Sequence, residues 1–475
     1  MPDVIETDIC VIGAGSGGLA TAAGAAMMGA STVLVEKGLM GGDCLNYGCV
    51  PSKALLAAGK AAHSFRAAAK FGIGATEPDV DHAAVYEHVH GVIAAIEPND
   101  SVARFEGLGV NVIQGEARFV GPKEIEVGDK RIKARRFVIA TGSTASVPPI
   151  PGLDSVPFQT NGTIFHDRKF PKHLIIIGGG PIGCELAQAH RRLGADVTVL
   201  EMFSIMPKDD PELVDIARQS MITDGVDIRE GVQIDRVEKS TRGVVVVLKT
   251  DDGETRIKGS NLLLATGRRP NVSSLNLEAA GVDYAPAGIT VDKRLRTSNK
   301  HIFAIGDCAG ALQFTHVALY HAGIVIRNAL FRLPARVNYK AIPWVTYTSP
   351  EVAQVGLNEE QARAKYDGNF QVLRWPFHEN DRAQAEHSTD GLVKIIITPN
   401  GKILGAGIAG PGAGELIQVW VLAIANGLKI GAMAGMVVPY PTIGEVSKRV
   451  AGSYYTPKLF GERTKWIVRF LAKFG

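Results

Sequence analysis

The chain has 475 residues, 46% of them hydrophobic, enough for packed cores in about three domains of about 150 residues each. Its net charge of +3 is small and evenly spread, which argues against a nucleic-acid partner. The first apolar run belongs to a glycine motif rather than a signal segment, and no stretch reaches the roughly 18 apolar residues of a membrane span, so a cytoplasmic protein is expected. Five cysteines are too few for a secreted disulfide scaffold, and none sits with histidines at structural-zinc spacing, so no metal site is expected.

In chain order, Ile9 to Ile12 reads as a strand, Gly13-Ala14-Gly15-Ser16-Gly17-Gly18 as a tight turn, and the Ala-rich stretch Leu19 to Ala30 as a helix. Gly13 permits the turn, Gly15 lets the backbone approach a pyrophosphate, and Gly18 packs helix on strand. The next strand, Thr32 to Val35, is closed by Glu36, a carboxylate placed to bind a ribose hydroxyl. Cys44 and Cys49 follow, and on the first turn of a helix their spacing lets the two sulfurs bond. The helix dipole favours a thiolate there, and a close cysteine pair in a nucleotide-binding chain reads as redox chemistry rather than as a structural disulfide. Lys53 lies four residues after Cys49, on the same helical face. Cys10, Cys184 and Cys308 read as buried packing residues.

Pro148-Pro149-Ile150-Pro151-Gly152 has the composition of a linker. After it, Leu174 to Ile177 leads into a second fingerprint, Gly178-Gly179-Gly180-Pro181-Ile182-Gly183, with Glu185 on its helix. The partner strand Val197 to Leu200 ends in Glu201, whose carboxylate accepts from a 2′-hydroxyl and repels a 2′-phosphate, so NADH is favoured over NADPH. Gly243 to Leu248 and Asn261 to Leu264 are further strands. From about Pro343 strands alternate with helices, with Val345 to Ser349, Leu392 to Thr398 and Gly412 to Asn426 as landmarks. Within 462–474, Trp466, Ile467, Phe470, Leu471 and Phe474 share one helical face and Lys465, Arg469 and Lys473 another. This basic amphipathic helix either packs on protein, the favoured reading, or makes a peripheral contact with an anionic membrane.

The two fingerprints, the cysteine pair, Ala265-Thr266-Gly267-Arg268-Arg269-Pro270-Asn271 and Ile302 to Asp307 together resemble the pyridine nucleotide-disulfide oxidoreductases, the flavoprotein family of dihydrolipoamide dehydrogenase, glutathione reductase and mercuric reductase. The resemblance covers nearly the whole chain. It implies an α/β fold with two dinucleotide-binding, Rossmann-like domains and a C-terminal α+β dimerisation domain. The segments expected are 1–147 and 273–340 for FAD, 148–272 for NAD(P) and 341–475 for dimerisation in a homodimer. It also implies that Cys49 exchanges electrons with the flavin, that Cys44 attacks substrate, and that Lys53 and Glu185 pair beside the flavin. Gly13, Gly15, Gly18, Glu36, Ala117, Thr141, Gly142, Asp307 and Thr315 are the implied FAD contacts, and Gly178, Gly180, Ile182, Gly183, Glu201 and Gly267 the implied nicotinamide-nucleotide contacts.

One motif departs from the family. Disulfide-reducing members carry His-Pro-Thr-x-x-Glu near the C-terminus, whereas here the segment is Tyr440-Pro441-Thr442-Ile443-Gly444-Glu445. A phenol titrating at about 10 is a poor proton shuttle beside an imidazole at about 6.5. Mercuric reductase also has a tyrosine in this region, but it uses a C-terminal cysteine pair, and no cysteine follows Cys308 here. The expected activity is electron transfer from NADH through FAD and the Cys44/Cys49 pair to a small acceptor: a metal ion, a quinone or a reactive disulfide. The alternatives are a dihydrolipoamide dehydrogenase or other disulfide reductase with Tyr440, and with it Glu445, in the acid/base position, and a non-catalytic flavin-binding subunit.

Overall fold

The computed structural model describes residues 3–250, 253–310 and 312–474, and divides them into two compact units. Of the described residues, the first contains those within 3–67, 75–202 and 228–338, and the second those within 68–74, 203–227 and 339–474. The segment 203–227 thus groups with the C-terminal part of the chain.

The first unit is built on a seven-stranded sheet in which Val110–Gln114, Thr32–Glu36, Asp3–Ile12 and Lys130–Ile139 run parallel. One edge of Lys130–Ile139 is shared: residues 130–133 pair antiparallel with Glu124–Val127, and 137–139 pair parallel with Ile302–Ala304. That last pairing returns the chain to the first sheet after an excursion of some 160 residues. The central strands are apolar because both faces are covered, with Ile9, Cys10 and Val11 fully buried. A second parallel sheet sets Asp196–Leu200, His173–Ile177 and Asn261–Leu264 side by side. Beside it in sequence lies an antiparallel sheet of Gln233–Ser240, Gly243–Thr250 and Gly253–Gly259.

In the second unit five antiparallel strands run in the order Pro343–Thr346, Glu351–Gly356, Ile403–Gly410, Leu392–Ile397, Gln371–Pro376. The helices Ala413–Ala425 and Glu445–Ser453 join them in one apolar core around Trp420, whose indole N–H donates to Ser447 Oγ at 3.1 Å. A buried cation also holds this unit together: Lys394, 5% exposed, meets Asp210, Glu212 and Glu359 at 2.8–2.9 Å. Three carboxylates around one ammonium compensate its desolvation.

Candidate active site

Each fingerprint folds into the strand, turn and helix that its spacing predicts, and the two share the same glycine geometry. Gly13 and Gly178 have φ of +107° and +110°, and a Cβ on either would collide with a carbonyl, that of Ala140 or Ala265. Those alanines begin the two Ala-Thr-Gly turns, and their amides bond Ile12 O and Ile177 O at 2.8 Å. A Cβ on Gly18 or Gly183 would strike the carbonyl of Gly13 or Gly178, so the third glycine lets the helix close on the turn. Gly15 and Gly180 differ: no heavy atom lies within 4 Å of where a Cβ would be. Each sits at the N-terminus of a helix, Ser16–Met27 or Pro181–Arg192, facing open space with a helix dipole behind it, the arrangement that receives a diphosphate.

The acidic partners repeat as well. Glu36 Oε2 accepts from Ala14 N at 2.5 Å and Oε1 from Gly38 N at 2.7 Å, while Glu201 Oε2 accepts from Gly179 N at 2.6 Å. Each carboxylate anchors its glycine turn and still has lone pairs for ribose hydroxyls. The residues present therefore fit two dinucleotides. Around the first, Gly115 N donates to Glu36 O at 2.8 Å just before the buried Ala117, and Thr141 Oγ1 donates to Asn271 O at 2.6 Å beside Gly142. Ile182 lies on the first turn of the second helix, and Gly267 follows the second Ala-Thr pair at φ +102°.

Cys49 opens the helix Cys49–Ala67, and Cys44 lies in the short preceding helix Gly42–Asn46. Both are unbridged thiols in side-chain contact, the reduced state of the pair. Cys49 is pulled down to about 6, first by the hydrogen bond from Cys44, then by Thr315 and the charge of Lys53, against burial and, to a smaller degree, the charge of Asp43. Cys44 is pushed above the ordinary thiol range by that same hydrogen bond and by burial. The asymmetry makes Cys49 the thiolate, as its place on a helix N-terminus also favours. Thr315, first residue of the helix Thr315–Ala329, brings Oγ1 to 3.4 Å from Cys49 Sγ. Lys53 Nζ reaches Glu185 Oε2 at 2.8 Å. Cys10, Cys184 and Cys308 are fully buried, as their positions in the sequence suggested.

Several contributors are not announced by motifs. Asp307 is held by Ser143, whose Oγ donates to Oδ2 at 2.5 Å, and burial raises its carboxyl while Ser143 and Arg268 oppose the rise. The amide of Gly306 donates to Nδ1 of the buried His321 at 3.1 Å, and burial pushes that imidazole down to about 4, so it remains a neutral acceptor. Arg268 lies 3.0 Å from Asp43, the residue before Cys44.

Tyr440 and Glu445 belong to the second unit, and there each has its own partner. Tyr440 donates to Asp381 Oδ2 at 2.8 Å, and that carboxylate raises the phenol above its ordinary value. Glu445 pairs with Arg449, one helical turn on, at 2.7 Å. Among the described residues no group of three or more His, Cys, Asp or Glu is arranged to hold a metal ion, and no helix is long and apolar enough to cross a membrane.

The family model described as pyridine nucleotide-disulphide oxidoreductase matches residues 7–322, and its dimerisation domain matches 342–451. The chain is 35% identical over 444 residues to a mercuric reductase of Bacillus cereus, covering 93% of this chain and 70% of that protein. It is 36% identical over 448 residues to a dihydrolipoyl dehydrogenase of Thermus scotoductus, covering 92% and 95%. The fold is similar to that of the Cu(II) complex of the HOCl-induced flavoprotein disulfide reductase RclA from Escherichia coli, with a TM-score of 0.84, 27% identity and coverage of 94% and 99%. With its paired dinucleotide cradles and its dithiol on a helix N-terminus, the chain belongs to the pyridine nucleotide-disulfide oxidoreductases and is an FAD-dependent disulfide oxidoreductase.

Proposed function

We propose that the protein uses NADH to reduce the Cys44/Cys49 disulfide and hands the electrons to a small acceptor that needs little proton transfer, a soft metal ion first among them. The observation that carries this reading is Tyr440, which holds the motif position of the family's acid/base histidine as a phenol bonded to Asp381. FAD, when bound, supplies the relay between the nicotinamide and the disulfide. The two electrons of the hydride break the S–S bond, its proton ends on Cys44 Sγ, and Cys49 stays a thiolate stabilised by Thr315, Lys53 and the helix N-terminus. Reoxidation re-forms the S–S bond and releases the Cys44 proton. A disulfide acceptor must in addition leave as thiols, which calls for a donor titrating near neutrality rather than at about 10 or above.

The names of relatives support this choice, since mercuric reductases and a Cu(II) complex stand among them. The 36% identity to a dihydrolipoyl dehydrogenase favours a second reading, reduction of a lipoamide-type disulfide with Tyr440 as a substitute acid/base. Glu201 supports NADH, because a carboxylate at that position repels a 2′-phosphate. The dimerisation domain at 342–451 supports a homodimer, and a dithiol that must cycle through its reduced state suits the cytoplasm.

The test is anaerobic. Enzyme reduced with NADH is mixed in turn with mercuric ion, cupric ion, a quinone, lipoamide and glutathione disulfide. Fast reoxidation by a metal ion and slow reoxidation by both disulfides is the expected pattern; fast reoxidation by lipoamide in the unaltered enzyme would establish the second reading instead.

Beside the favoured reading, in which the C-terminal helix packs on protein, a peripheral contact with anionic lipid is the second reading open to it. The helix Glu462–Leu471 lies beyond the matched dimerisation domain and has no buried residue; Trp466 is 63% exposed and stacks on Phe470 at 5.6 Å, with Lys465 and Arg469 on the other face. Vesicles containing phosphatidylserine should sediment the intact protein and not a chain ending at residue 461. Equal sedimentation of the two would remove lipid contact from the proposal.

A further inference from the structure

Arg268 stands between two carboxylates that the sequence places 264 residues apart, Asp43 and Asp307. Its side chain is 13% exposed. Nη2 is 3.0 Å from Asp43 Oδ1 and donates to Ser143 O at 2.8 Å; Nε donates to Ser143 Oγ at 2.8 Å and lies 3.9 Å from Asp307 Oδ2. Asn161 closes the other side, its Nδ2 reaching Asp43 Oδ1 and Tyr47 O, both at 3.1 Å. Asp43 is in this way fixed against the turn that links the two cysteines: a Cβ on Gly48 would lie 2.9 Å from its Oδ2.

We propose that Arg268 is a positioning residue for the dithiol, compensating Asp43 beside the cysteine pair while it ties that turn to the Asp307 loop. The reduced pair carries a negative charge on Cys49. Among the described residues the charged groups that act on it include Lys53, itself paired with Glu185, and Asp43, whose charge adds to burial in opposing the thiolate. An uncompensated Asp43 penalises the reduced pair and leaves the neutral disulfide almost unaffected, because only the former is anionic. Arg268 therefore favours the reduced state without touching either sulfur. The inference rests on the reading that Cys44 and Cys49 form the working couple.

The experiment equilibrates the flavin-loaded enzyme with dithiothreitol redox buffers and scores the pair by alkylation and mass spectrometry. Removal of the guanidinium in Arg268→Met should shift the couple toward the disulfide by about tenfold, close to 30 mV more negative. Asp43→Asn should shift it the other way, and the double variant should return toward the unaltered enzyme because the charge to be compensated is gone. A structural role alone predicts no such recovery. An unchanged potential in flavin-retaining Arg268→Met, or a double variant no nearer the unaltered value than Arg268→Met, overturns the proposal. If Arg268→Met does not retain flavin, Asp43→Asn decides, since an unmoved potential there removes the charge that Arg268 is said to compensate. Failure of the unaltered enzyme to show any Cys44/Cys49 couple would instead refute the reading on which the inference rests.

Discussion

Lys53 Nζ lies 2.8 Å from Glu185 Oε2, and the two members of this ion pair meet very different surroundings: the lysine side chain is 38% exposed and the glutamate 6%. The helices that carry them, Cys49–Ala67 and Pro181–Arg192, pack together in the first unit. The inequality makes the pair asymmetric. Lys53→Met takes the ammonium away from a buried carboxylate and should destabilise the protein by about 2 kcal/mol, less than the roughly 3–5 of a fully buried pair because water screens the lysine. Glu185→Gln leaves an ammonium that reaches solvent and should cost about 1 kcal/mol or less. Denaturant unfolding of the flavin-loaded variants checks the order; equal losses would mean that packing, and not the charge of the buried carboxylate, sets the cost.

The second prediction concerns pH. Cys49 in the reduced protein is drawn down to about 6 by Cys44, Thr315 and Lys53, from an unfolded thiol value of 9.0. A depressed acid binds protons more weakly in the folded state, so its stabilising effect is complete above about 9 and is lost as pH falls through about 6. Reduced protein should therefore gain stability relative to Cys49→Ser between those values, and thiolate absorbance in the ultraviolet should show a midpoint near the lower one. Thr315→Ala removes the hydroxyl at 3.4 Å and should move that midpoint upward. A midpoint at the ordinary thiol value in the unaltered protein would show that the contacts around Cys49 do not stabilise the thiolate.

Tyr440 yields a third test. Its phenol donates to Asp381, which holds it protonated well past neutrality. Metal or quinone reduction should accordingly show no inflection attributable to Tyr440 between pH 6 and 9, a window that spans about the range in which an imidazole and a free phenol differ most in charge. Tyr440→Phe should change that activity by about threefold or less, whereas Tyr440→His should raise lipoamide reduction by about 10²-fold if the missing imidazole is what limits it. Negligible lipoamide turnover in Tyr440→His would place the limit in the acceptor site.

The elements legible in the sequence were those whose chemistry is local. Gly13, Gly15 and Gly18 lie within six residues at one strand-to-helix junction, so their roles follow from spacing, and the same holds for Gly178, Gly180 and Gly183. Cys44 and Cys49 are legible for the same reason. The contacts among Arg268, Asp43 and Ser143 were not, because each joins segments more than 90 residues apart that meet only when the strands Ser143–Ala145 and Arg268–Pro270 pair. His321 left only the signal of a histidine on a buried helical face, which ordinary core packing would explain equally well. Asp381 as the partner of Tyr440 had no local signal at all, since 59 residues separate them, whereas the Glu445 to Arg449 spacing of four was there to be read as a helical ion pair.

Glu201 offers the last prediction, and its geometry decides which substitution is informative. Oε2 accepts from Gly179 N at 2.6 Å, so the carboxylate both anchors the glycine turn and carries the charge expected to repel a 2′-phosphate. Glu201→Ala removes both effects and should weaken NADH and NADPH alike, which says nothing about discrimination. Glu201→Gln keeps an oxygen for the Gly179 amide and removes the charge, with the second oxygen replaced by an N–H donor. The ratio of kcat/KM for NADH over NADPH should then fall by about tenfold, equivalent to about 1.4 kcal/mol, with the larger part of the change in NADPH. Steady-state rates with one fixed acceptor at low ionic strength, where a phosphate is least screened, measure it most sharply. A ratio that stays constant in Glu201→Gln would mean that discrimination comes from the shape of the adenosine pocket, because the anchor is preserved while the charge is gone.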